Sequence, residues 1–230
     1  MAEILSANQF FSLTLTLTAF GIGSFFNRKC HSAAVNPILI GALLIIAFLS
    51  FFDISNETYQ QGCTILSFFI TPATICLSIS LYSRFQTIKK HLAAVLLGII
   101  FGTLTCLASI FLICRLFGFD SVMTATLLPK SITTAIGVSL SEELGGIASV
   151  TSACIVLTGI MTNISGPFLI KLFKIGSPIA QGVALGTAGH VVGTARAAEI
   201  GELTEAVSSF SLTLAGLFTT VILSFAAQYI

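Results

Sequence analysis

Lys130 follows Pro129 and precedes Ser131, Thr133 and Thr134 in a stretch that is otherwise apolar. If a half-helix begins after that proline, its free N–H groups carry partial positive charge. With the hydroxyls and the ammonium they make a receptor for an anion the size of a carboxylate. The alternative is a lysine that snorkels to the interface beside hydroxyls bonded back to their own helix. His190 lies between Gly189 and Val191 in a second stretch that also holds Gly182, Gly186 and Gly193. An imidazole at membrane depth suits proton coupling or a hydrogen bond to a bound acid, although a histidine can equally satisfy a local carbonyl. Thr187 and Thr194 offer hydroxyls to the same place. The four-residue glycine spacing also suits close helix contact. Arg196 and Glu199 are three apart, so they either pair on one helical face or leave Arg196 as a bidentate carboxylate clamp.

Other chemistry is sparse. The chain has no Ser-x-x-Lys or Gly-x-Ser-x-Gly nucleophile context, no paired-histidine metal spacing and no phosphate-binding loop, so neither catalysis, a metal nor a cofactor is expected. The six cysteines stand singly, as small packing residues do. Glu142, Glu143, Glu202 and Glu205 read as solvated helix ends, and Asn163 as a contact between helices.

The elements that must hold these residues are membrane helices. Among 230 residues 55% are hydrophobic and 8% charged, with net charge +1, and the mean hydropathy is +1.03. These values lie outside the range of soluble domains and give no basis for nucleic-acid binding. Apolar runs of about 20 residues fit helices that cross a bilayer, and the alternation of a barrel strand is absent. We read an all-α integral membrane protein, a polytopic bundle of one domain, residues 1–230. Spans fall near 10–26, 37–52, 63–82, 92–114, 147–172 and 205–228, with interrupted segments at 122–140 and 180–200. Met1 to Leu5 lacks a basic segment, so the first run is expected to be retained.

Arg28, Lys29 and His31 place the loop after the first span inside, hence the N-terminus outside. The alternation continues through Lys89, Lys90 and Arg115. It fails only if 122–140 crosses completely, because Lys171 and Lys174 would then lie outside. A segment that enters and returns, or a helix broken at Pro129-Lys130, restores the rule. At an offset of 60 residues Pro129-Lys130 falls on Gly189-His190, Thr134 on Thr194, and Glu142 on Glu202. Two interrupted segments of opposite sidedness, each followed by a full span, point to an inverted repeat with a site between its halves.

The motifs Leu127-Leu128-Pro129-Lys130-Ser131-Ile132-Thr133-Thr134 and Gly186-Thr187-Ala188-Gly189-His190-Val191-Val192-Gly193-Thr194-Ala195-Arg196-Ala197 resemble those of the LrgB/CidB family of bacterial membrane proteins. So do Gly145-Gly146-Ile147, Gly166-Pro167-Phe168 and Asn36-Pro37-Ile38-Leu39. Ala135, Gly189 and Val191 depart from residues usual in that family, proline, serine and glycine respectively. The resemblance implies an antiholin-like or holin-like regulator of murein hydrolase export and autolysis, working with a small LrgA/CidA-type membrane partner. It also implies kinship with a plastidic glycolate/glycerate translocator and with members linked to pyruvate uptake.

The residues and the resemblance together give a secondary carrier of small monocarboxylates in the bacterial inner membrane, proton-coupled through His190 and assembled as a homo-oligomer. Its substrate-binding set is Lys130, Ser131, Thr133, Thr134, Thr187, Gly189, His190, Gly193, Thr194 and Arg196. Regulation of murein hydrolase export is the alternative.

Overall fold

The computed structural model describes residues 8–30, 37–69 and 88–226, together with 72, 75, 79, 82, 85 and 86. Among these residues every regular element is helical. The chain divides into two compact units, Met1–Cys76 and Leu77–Ile230.

In the first unit, α1 (Gln9–Cys30) and α2 (Pro37–Phe51) form an antiparallel pair. A Cβ at Gly41 would lie 3.5 Å from the Phe20 backbone, and Phe11 meets Phe48 with ring centroids 6.1 Å apart. Pro37 opens α2, where its missing N–H costs nothing. Two short helices follow, α3 (Asn56–Gly62), capped by Ser55, and α4 (Thr64–Phe68). The span expected at 63–82 lies largely outside the described residues.

The second unit holds everything that bears on the candidate site. Its elements are α5 (Leu92–Leu116), α6 (Ser121–Leu127), a 3₁₀ turn (Leu128–Ser131), α7 (Thr134–Glu143), α8 (Ala148–Leu172), α9 (Pro178–Ile200) and α10 (Glu202–Ala226). Helices α1, α5, α8 and α10 are long and apolar enough to cross a membrane. Helix α2 is apolar but shorter.

Helix α6 starts at Asp120, whose carboxylate accepts the Met123 N–H at 2.8 Å. It tightens into the 3₁₀ turn around Pro129 and reverses through extended Ile132 and Thr133. Helix α7 then runs back beside it, so that a Cβ on Gly137 would stand 3.0 Å from the Pro129 carbonyl. Thr151 of α8 ties the two arms together: its hydroxyl lies 2.6 Å from Ser141 Oγ and 2.9 Å from the Thr126 carbonyl. Every polar group in this knot has a partner, as burial without water requires.

Helix α9 reverses as well. At His190 the backbone takes φ 42 and ψ −130, close to the first central position of a type II′ turn, where glycine dominates. The second arm returns along the first, with Gly193 packed on the Leu185 carbonyl. Gln181 and Ile200, near the two ends of the segment, line one surface cleft. Residues 178–189 rise about 18 Å at about 1.5 Å each, a little over half a hydrocarbon core of about 30 Å.

The hairpins enter from opposite ends of the bundle. Leu128, Ile132 and Leu140 of the first cluster with Ile110 and Cys114 near the end of α5. Ile179 and Val183 of the second pack against Val95 and Ile99 near its beginning. Each hairpin is followed by a 25-residue helix, α8 or α10. This is the inverted repeat expected from the sequence, and Lys171 and Lys174 fall at the end of α8 where the second hairpin enters.

Candidate functional site

The hairpin tips meet inside the second unit. His190 Nε2 donates to the Ile155 carbonyl of α8 at 2.9 Å, which assigns the ring proton to that nitrogen. The ring is 4% exposed and sits over Gly159, where a Cβ would stand 2.8 Å from its Cε1. Holding a histidine in this backbone conformation costs about 1–3 kcal/mol. Lys130 is half-buried on the 3₁₀ turn. Ser131, the next residue, lies 3.0 Å from the Cys106 thiol of α5.

Two half-helices begin at these tips. Helix α7 starts at Thr134 with Thr133 as its N-cap, and no side chain caps it. The returning arm of α9 starts after His190. Both N-termini carry unshared N–H groups and partial positive charge, that of the returning arm next to buried His190 and that of α7 at the exposed residues 134–136.

Between the tips lies a cavity of about 10 Å³, the room of one water-sized group. Thr103 and Cys106 of α5, Ser131 of the first hairpin, Thr187 of the second and Thr219 of α10 line it. Thr103 is 5% exposed, and its hydroxyl has no hydrogen-bond partner. A buried unsatisfied hydroxyl costs about 1–3 kcal/mol, which a polar ligand would recover. Thr187 also closes a groove of about 570 Å³ that runs between α5 and the first arm of α9, from His91 and Ser177 past Gly98 and Gly102.

Of the expected site residues, Ser131 and Thr187 line this cavity, whereas Lys130 and His190 stand on the two turns and do not line it. Thr133 stands at the start of α7, and Thr134 beside it is exposed. Gly189 packs on Thr162 and Gly193 on the Leu185 carbonyl, so both serve the turn. Thr194 donates to the His190 carbonyl at 2.9 Å and lies 2.8 Å from Ser208 Oγ, which locks the returning arm to α10. Arg196 forms an ion pair with Glu199, away from the tips. Sequence reasoning missed Thr103, Cys106 and Thr219. Their signal was faint: hydroxyls and a thiol on otherwise apolar spans, with Thr103 and Cys106 three apart on one face of α5. Among the described residues no cluster of three or more His, Cys, Asp or Glu side chains suits a metal.

The profile of the LrgB-like family matches residues 16–229. The chain belongs to that family. Its relatives include the antiholin-like protein LrgB of Bacillus cereus (strain B4264) and that of Bacillus anthracis (strain CDC 684 / NRRL 3495). Each is 33% identical over 215 residues, covering 93% of this chain and 94% of the relative. No solved structure matches the chain. This LrgB-like chain is a multi-pass bacterial membrane protein.

Proposed function

We propose that this LrgB-like protein carries small monocarboxylates, such as glycolate, glycerate or pyruvate, across the bacterial inner membrane. One observation carries the reading: the groove along α5 ends at Thr187, which also lines the hydroxyl cavity with Ser131, the neighbour of Lys130 on the first hairpin's turn. Helix ends that converge near the midplane supply a carboxylate with N–H donors and positive potential without a fully charged cage. A two- or three-carbon acid needs more than one water's room, so loading requires the tips to separate. His190 couples a proton or binds the substrate hydroxyl, and Arg196 takes part only if its pairing with Glu199 opens. The N-terminus lies outside, with Lys171 and Lys174 in the cytoplasm.

The test is uptake of labelled glycolate and pyruvate into proteoliposomes holding this protein alone, with and without an inward proton gradient. Saturable uptake that falls at least tenfold in His190→Ala supports the carrier. Absence of uptake by the folded wild type overturns it.

The relatives' name, antiholin-like, favours a second reading more directly than the first: a regulator of murein hydrolase export acting with an LrgA/CidA-type partner. On that reading the vesicles show no saturable uptake. Autolysis then changes only when the partner is present.

A further inference from the structure

Four described helices end with the same hydrogen-bond pattern. The N–H two residues past the cap bonds five positions back in Ile54 to Leu49, Phe119 to Cys114, Gly146 to Ser141 and Ile175 to Ile170. This arrangement requires a left-handed residue just beyond the helix, a place that favours glycine. Gly118 and Gly145 fill it in two cases, and Asp53, a tolerated residue, in the third. At the end of α8 the position belongs to Lys174, with φ 53, although Gly176 follows only two residues later. A long β-carbon side chain is held there against backbone preference. Such an outlier points to a role for the side chain.

That side chain borders a cleft of about 430 Å³ between the end of α8 and the mouth of the second hairpin. Pro167, Ile170, Ile175 and Ile200 make its apolar wall, Lys171 and Lys174 supply its only charges, and both lysines are exposed. Among the described residues neither lysine forms an ion pair. Gln181 Nε2 donates to the Ile175 carbonyl at 2.6 Å and holds the connecting loop against the hairpin. An apolar cleft alongside membrane-spanning helices, closed at one end by two ammonium groups, matches an acyl chain joined to a phosphate.

We propose that the cleft binds one anionic phospholipid, its phosphate on Lys171 and Lys174 and an acyl chain against Ile170 and Ile200. The proposal is independent of what the protein carries. Because both arms of the second hairpin contribute to the cleft, an occupying lipid wedges the hairpin at its mouth.

The test uses the full-length protein in nanodiscs containing phosphatidylglycerol and phosphatidylcholine, with retained lipid counted by native mass spectrometry after transfer to detergent. Wild type should retain one phosphatidylglycerol in preference to phosphatidylcholine. At about fivefold per lysine, Lys171→Gln combined with Lys174→Gly should weaken retention about 25-fold. Lys174→Gly alone relieves the backbone and should melt no lower than wild type, so loss of lipid cannot be ascribed to unfolding. Lys174→Arg should retain the lipid. Equal retention of phosphatidylcholine, undiminished retention in the double variant, or displacement by millimolar inorganic phosphate would each overturn the proposal.

Discussion

The two re-entrant hairpins solve one geometric problem with different chemistry. The first turns on a proline and an extended pair, and hydroxyls hold it: Thr126, Ser141 and Thr151 satisfy one another and the backbone. The second turns on a strained histidine and is held by backbone approach. Gly182 and Gly186 rest on the Thr204 and Ser208 carbonyls of α10, as Gly193 rests on Leu185. Between helices in lipid the hydrophobic effect supplies no drive, so hydrogen bonding and small-residue contact are the two means available. Each hairpin uses chiefly one of them. Hydroxyl bonding tolerates small shifts, whereas glycine contacts have no slack.

Gly193→Ala puts a Cβ into the Leu185 carbonyl, which cannot rotate away. A loss of about 3 kcal/mol or more is expected in equilibrium unfolding in mild detergent. A variant as stable as wild type would break the comparison at its rigid side. On the other hairpin, Thr151→Val removes the hydroxyl shared by Ser141 and Thr126, and the same assay should show about 1–2 kcal/mol. At the second tip, His190→Gly and His190→Ala both lose the bond to Ile155, but only alanine keeps the backbone strain. Glycine should therefore be the more stable variant by about 1–2 kcal/mol, with uptake lost in both. The smallest effect belongs to Thr103→Val. An unpartnered hydroxyl replaced by a methyl should leave the melting temperature nearly unchanged, while uptake falls. A marked drop in melting temperature would show that the hydroxyl serves the fold rather than the site.

Both hairpins could be read from the sequence because their turns break an apolar run with residues costly at depth, Pro129-Lys130 in one and Gly189-His190 in the other. The mismatch between Lys171 and Lys174 and a full crossing of 122–140 carried the same information. Helices α5, α8 and α10 followed from hydropathy alone. The cavity was harder to read. Thr103, Cys106 and Thr219 are small, weakly polar residues that a bilayer tolerates anywhere on a span, and only packing shows which of them face one another. Arg196 illustrates the opposite difficulty: its spacing to Glu199 admitted both a pair and a clamp, and the fold shows the pair.

The order of elements along the chain also constrains biogenesis. Each hairpin is translated before a helix that holds it: α6 and α7 precede α8, which supplies Thr151, and α9 precedes α10, which supplies Ser208. A tip whose amides and carbonyls face lipid is untenable, so the first hairpin cannot settle before α8 exists, whereas the second emerges when the Ile155 carbonyl that receives its histidine is already made. The first must wait at the membrane surface until the next 25 residues of α8 have been threaded. The two hairpins therefore differ in timing, and a nascent chain halted after Glu143 would hold its first hairpin outside the bilayer.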